Sequence, residues 1–121
     1  MEIRSHRDLD VWKVAMDLVE EVYRLAKALP NAERFGLISQ MQRAAVSVPA
    51  NIAEGHGRGH TAEYVQHLLI ARGSLMELST HLAIAQRLNY LQEVDLPHST
   101  ELVERAGKML NGLIKALKAK S

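Results

Sequence analysis

Five polar residues fall at helical intervals in the middle of the chain. Gln40, Arg43, Ser47, Asn51 and Glu54 stand at steps of 3, 4, 4 and 3, and Arg58 continues the line. With about 100° between successive residues of a helix, this spacing puts all of them in one stripe. Their chemistry is that of donors and acceptors: guanidinium forks, a hydroxyl, an amide and a carboxylate. Three uses fit such a stripe: a solvated face, a hydrogen-bonded network between helices, or a binding surface. Arg43 and Glu54 are too long and too strongly charged to be buried without partners. If the second and third helices run antiparallel, Arg43 lies level with Ser74 and Glu77. An Arg43–Glu77 pair is then expected, with Ser47 and Asn51 bonding along the groove and fixing register or a subunit contact. In the binding alternative, Arg43, Arg58 and Arg72 join the nearby glycines to offer bidentate donors and exposed amides to phosphate or carboxylate.

Other candidate sets are weaker. The sequence has no GxSxG, no phosphate-binding P-loop and no HExxH. His56 and His60 have the i, i+4 spacing of a metal pair, and His67 is a conceivable third ligand. They match no closed zinc signature and sit in or after a glycine-rich turn, so they read as exposed turn histidines. The carboxylate pairs Glu20/Glu21 and Glu101/Glu104 fall on expected solvated faces, without the cleft that paired-carboxylate catalysis needs. No enzymatic activity, metal or other cofactor is expected. Lys108, Lys115 and Lys118 lie near one face of the last helical pattern and form the best candidate for a nucleic-acid patch. The bland reading is a basic helix end that complements the helix dipole.

The elements that position these residues are helical. Aromatics are 4% of 121 residues, so the core must be aliphatic, a composition that favours helices. Length gives one domain over residues 1–121. The net charge of +1 excludes a strongly basic binder, so nucleic-acid contact needs a local patch. Cysteine is absent, which removes disulfides and thiolate sites and is compatible with the cytoplasm. Neither a signal peptide nor a membrane-spanning run is legible.

Four patterns are expected. The first runs from Asp8 to Leu29, with Ser5 or Asp8 as its cap. Trp12, Ala15, Met16, Val19, Tyr23 and Ala26 form one apolar stripe beside a second of Val11, Val14, Leu18, Val22, Leu25 and Leu29. Together they cover about half the helix, more than one bundle needs, which points to another subunit. The second helix runs from Ala32 to Gly55 and contains Pro49, a potential kink or break. Leu37, Met41, Ala44, Ala45, Val48 and Ile52 are its core stripe. The third runs from Thr61 to Leu88 on a seam of Tyr64, Leu68, Ala71, Leu75, Leu78, Leu82 and Ala85, widened by Val65, Leu69, Met76 and Ala83. Gly73 and Ser74 offer close packing against the Pro49 region. The fourth follows Pro97, capped by Ser99 or Thr100. Short turns between four helices give an all-α, up-down-up-down antiparallel four-helix bundle.

One run is more specific than any of these patterns. Arg43-Ala44-Ala45-Val46-Ser47-Val48-Pro49-Ala50-Asn51-Ile52-Ala53-Glu54-Gly55 is preceded by Asp8-Leu9, Val11-Trp12, Phe35-Gly36-Leu37 and Gln40. It is followed by Arg58, Ala71-Arg72-Gly73-Ser74 and Glu77-Leu78. These residues resemble the four helix bundle protein family, which includes proteins encoded in intervening sequences of bacterial large-subunit ribosomal RNA. The resemblance covers the chain up to Tyr90. It implies an antiparallel bundle with Pro49 tolerated inside a helix, assembled as a ring-like homopentamer, without established enzymatic activity. The family is more distantly similar to retroelement accessory proteins, basic pentamers that bind a reverse transcriptase and nucleic acid. The reading that follows is a non-enzymatic homo-oligomer. Its partners are itself and RNA or a nucleic-acid-binding protein, with no membrane. The alternative is a protein scaffold without nucleic-acid contact.

Overall fold

The computed structural model describes residues 3–120. Its helices are α1 (Asp10–Ala26), α2 (Leu37–Gly57), α3 (Thr61–Arg87) and α4 (Pro97–Lys120), with 3-10 turns at His6–Asp8, Asn31–Glu33 and Glu93–Asp95. Among the described residues there is no strand, and no helix is long and apolar enough to cross a membrane.

Local chemistry sets the boundaries. Ser5 does supply a cap, but to the short turn ahead of α1: its hydroxyl accepts the Arg7 amide at 3.2 Å. The Asp8 carboxylate accepts the Arg4 and Ser5 amides at 2.8 and 3.2 Å, and these bonds hold its pKa below the ordinary value. The second helix starts at Leu37, five residues later than its periodicity suggested. The segment after Pro30 winds as a 3-10 turn, and Gly36 leaves helical geometry at φ −110°, ψ −111°. Glu33 then caps α2 from outside, accepting the Leu37 amide at 3.2 Å on Oε1. A Cβ on Gly36 would stand 2.8 Å from that oxygen, so glycine is what lets the carboxylate reach. Oε2 of Glu33 accepts the Tyr90 hydroxyl at 2.9 Å, tying the first connection to the third.

Pro49 is buried inside an unbroken α2. Of the glycines expected to form the next turn, Gly55 and Gly57 are still helical, and only Gly59 takes a left-handed φ of 78°. His60 occupies the cap position of α3. Asn89, at φ 62°, terminates the third connection's first turn, with the Tyr90 and Leu91 amides both reaching the Ala85 carbonyl. Pro97 begins α4, where its missing amide would be an orphan in any case. Ser99, read from sequence as a cap, is instead buried and donates to the Leu96 carbonyl at 2.9 Å.

Pairings across the helices fix direction. Ser47 meets Ser74 while Asn51 meets His67, so α2 and α3 run antiparallel. Arg72 meets Asn111, while Leu82 and Gln86 lie beside Thr100 and Val103, so α3 and α4 do too. With short connections throughout, the result is an all-α four-helix bundle of alternating direction. One aliphatic cluster draws on all four helices, with Leu18, Met41, Ile52, Leu68, Leu78 and Leu110 fully buried. Each such side chain contributes about 1.5–3 kcal/mol relative to exposure. The α3 seam is narrower than its sequence implied. Val65 and Leu69 are half-buried, but Met76 and Ala83 face outward.

Candidate functional site

The polar stripe of α2 divides by depth. Its centre is built into the α2–α3 seam. The Ser47 and Ser74 hydroxyls are 2.7 Å apart. The Asn51 amide nitrogen donates to the Ser47 carbonyl at 2.9 Å and to the Ser47 hydroxyl at 3.0 Å. The Asn51 carbonyl oxygen is 3.1 Å from Nδ1 of His67, which with this amide orientation is the donor. All four side chains are half-buried. The chain Ser74–Ser47–Asn51–His67 thus engages the Asn51 amide nitrogen in two donated bonds and its carbonyl oxygen in one accepted bond, three of its four possible bonds. It also adds a side-chain bond in the α2 turn where Pro49 lacks an amide.

The charged members lie outside this network. Arg43 and Glu77 are not joined by a hydrogen bond or ion pair; both are exposed, so water solvates their charges and neither needs the other. Arg58 donates to Glu54 at 2.8 Å, an i, i+4 pair with both side chains about half exposed. Such a pair is worth little in stability. Arg72 points to the other side of α3 and donates to Asn111 on α4 at 2.9 Å. The three arginines therefore do not converge on a single site.

Two of the three histidines are placed otherwise than exposed turn residues would be. His56 is half-buried on α2, edge-on to the Tyr64 ring at 5.7 Å between centroids. His67 belongs to the network, and His60 is exposed. Among the described residues no group of three His, Cys, Asp or Glu side chains is arranged to hold a metal ion. A close helix contact explains the crowding here. A Cβ on Gly55 would stand 2.7 Å from the His67 Cβ and 3.1 Å from the Tyr64 ring, so α2 and α3 touch at this glycine. Gly73, expected to be the contact point, has open space around it. The Tyr64 hydroxyl is buried without a hydrogen-bond partner, and burial pushes its pKa up.

Glu21 is a second departure from the sequence reading. It lies 6% exposed rather than on a solvated face, bound through both oxygens by Arg24 at 2.7 Å each. Glu20 remains exposed, as do Glu101 and Glu104. Periodicity alone places Glu21 one step from Leu18 and Leu25, a signal that its charge masked.

Two surfaces are left. On α4, Lys108, Lys115 and Lys118 are all exposed. Between α1 and α2, Tyr23, Ser39, Gln42, Arg43, Val46 and Ser47 line a shallow groove of about 450 Å³. Tyr23 is 45%, Val46 42% and the nearby Met16 37% exposed, whereas Trp12 and Val19 of the same α1 stripe are half-buried. The bundle buries Ala15 and Ala26 of that stripe, half-covers Trp12 and Val19, and leaves Met16 and Tyr23 exposed.

The family model described as 23S rRNA-intervening sequence protein matches residues 7–112. A crystal structure from Bacteroides thetaiotaomicron VPI-5482, of a protein with unknown function from the S23 ribosomal protein family, is similar in fold. The TM-score is 0.80 at 24% sequence identity, covering 87% of this chain and 98% of that one. No curated protein matches the sequence.

Proposed function

From the premise that this chain belongs to the 23S rRNA-intervening sequence protein family, we propose that it acts as a non-enzymatic homo-oligomer that binds RNA or an RNA-bound protein in the cytoplasm. The observation that carries the reading is exposed apolar surface on this side of the bundle: Tyr23 and Val46 in the groove between α1 and α2, and Met16 two turns back along α1, stay exposed in the single chain. An apolar face of this kind is the usual mark of a subunit contact. The number of copies follows from the family resemblance, a ring-like homopentamer. Closure repeats the Lys108, Lys115 and Lys118 line around the assembly. A chain of net charge +1 then presents several basic patches in one object.

The test is RNA binding by the assembled protein as a function of salt. Affinity for a large-subunit ribosomal RNA fragment should fall steeply between about 50 and 200 mM salt, and replacing the three lysines by glutamine should flatten the slope. Absence of binding at about 50 mM salt, where phosphate contacts are strongest, would overturn RNA recognition. The second reading, a protein scaffold, is favoured by one feature: Glu101 and Glu104 stand on the same exposed face of α4 as the lysines. A partner retained from lysate after nuclease treatment would support it.

A further inference from the structure

The outer face of α4 carries a pattern that the RNA reading uses only in part. Glu101, Glu104, Lys108, Asn111, Lys115 and Lys118 follow steps of 3, 4, 3, 4 and 3, and all six are exposed. They form one stripe along the helix, and its sign changes once: acidic at the N-terminal end, basic at the C-terminal end. Among the described residues neither glutamate makes an ion pair.

We propose that this stripe is a self-recognition surface, on which two copies of the chain pair through antiparallel α4 helices. The argument is charge complementarity. Placing a two-fold axis between Lys108 and Asn111 sets Glu101 against Lys118 of the second copy and Glu104 against its Lys115, each pair occurring twice. Lys108 then faces Asn111, whose carbonyl oxygen accepts from Arg72 at 2.9 Å and has a further lone pair for the incoming ammonium. A parallel arrangement would oppose like charges at every charged level. Sliding the antiparallel pair by two helical turns one way loses half of the Glu–Lys pairs, and sliding it the other way opposes Lys108 to Lys118. One register therefore satisfies the whole stripe, and the occupant that offers the reversed order of charges is this same helix. Gly112 beside the stripe has no neighbour within 4 Å of an added Cβ, so the second helix meets no bulk there. RNA, by contrast, would be attracted by only half of the face and repelled by the other.

This contact is isologous and separate from the α1–α2 groove, so it joins assemblies rather than building them. It also covers Lys108, Lys115 and Lys118, which makes pairing and RNA binding mutually exclusive. It goes beyond the proposed function and holds whether or not RNA is the ligand.

The test is the mass of the RNA-free protein, by light scattering or sedimentation, with two charge reversals, E101K/E104K and K115E/K118E. Wild type should show twice the mass at about 50 mM salt that it shows at about 500 mM, because exposed pairs are screened. Each reversed variant alone should keep the lower mass at low salt, with unchanged helical circular dichroism. An equimolar mixture of the two should recover the doubled mass, and so should the chain carrying all four reversals. A wild-type mass independent of salt, or a mixture that stays at the lower mass, would overturn the proposal. Y23E, which removes the groove contact, should lower the base mass and leave the salt-dependent doubling in place. The two readings thus fail separately.

Discussion

Ser47 on α2 and Ser74 on α3 stand with their hydroxyl oxygens 2.7 Å apart, 27 residues distant in sequence. Their bond continues through Asn51 to His67, so a single hydrogen-bonded line sets how far α2 slides along α3. Asn51→Ala removes both donated bonds and strands the His67 donor. The expected cost is about 0.5–1.5 kcal/mol in denaturant unfolding, the net worth of an intramolecular hydrogen bond at a half-buried site. A Ser47→Ala/Ser74→Ala double-mutant cycle should give a coupling of about 0.5–1.5 kcal/mol. Strict additivity would mean that the two hydroxyls do not act together.

Two glycines should respond in opposite directions. At Gly55 a methyl group would press on the His67 Cβ at 2.7 Å and the Tyr64 carbonyl at 3.2 Å. Gly55→Ala is expected to destabilise by about 1–3 kcal/mol, as overpacking does, in spite of the better helix propensity of alanine. Gly73 lies in α3 with open space around it, so Gly73→Ala should stabilise by about 0.5–1 kcal/mol. Thermal melts of the two variants, run side by side, check the pair.

The contrast between these glycines also marks what was legible in the sequence. Apolar periodicity gave the four helices and the core, because burial of one stripe is a property of each helix alone. Which glycine sits at the helix contact depends on register between helices, and neither Gly55 nor Gly73 carries that information locally. The same holds for the polar stripe. Its alignment was visible, but its partners His67 and Ser74 emerge only when α3 folds back at Gly59. The late start of α2 was hidden because Glu33 caps from outside the helix, through a carboxylate that reaches past Gly36. A charged residue beside an apolar stripe reads as solvated, and the burial of Glu21 becomes tolerable only through the two bonds from Arg24.

The α1–α2 groove gives a prediction about assembly. Tyr23→Glu, or Met16→Glu with Val46→Glu, puts charge onto the bare apolar face without touching the core residues Leu18 and Met41. Burying an unpaired carboxylate in a subunit contact is costly, so the expected outcome is dissociation to a smaller species. The variant chains should keep wild-type helicity by circular dichroism. Native mass spectrometry reads the result, and an unchanged copy number would place the subunit contact elsewhere.

Glu21 predicts how stability changes in acid. The Arg24 guanidinium, bonded to both carboxylate oxygens, holds its pKa below the ordinary 4.5, with a smaller attraction from His98 and with burial opposing. A carboxyl whose folded pKa is depressed stabilises the fold fully above its unfolded pKa. That contribution is lost as the pH falls from about 4.5 through the lower folded value. Glu21→Gln keeps the shape and removes the titration. The variant should be less stable than wild type at pH 7, and the gap should close as the pH falls below about 4.5 and through the lower folded pKa, where the wild-type carboxylate also loses its charge. Melting temperatures of the two proteins across that interval test the sign: a gap that widens on acidification would show that Arg24 does not hold Glu21 in its charged form.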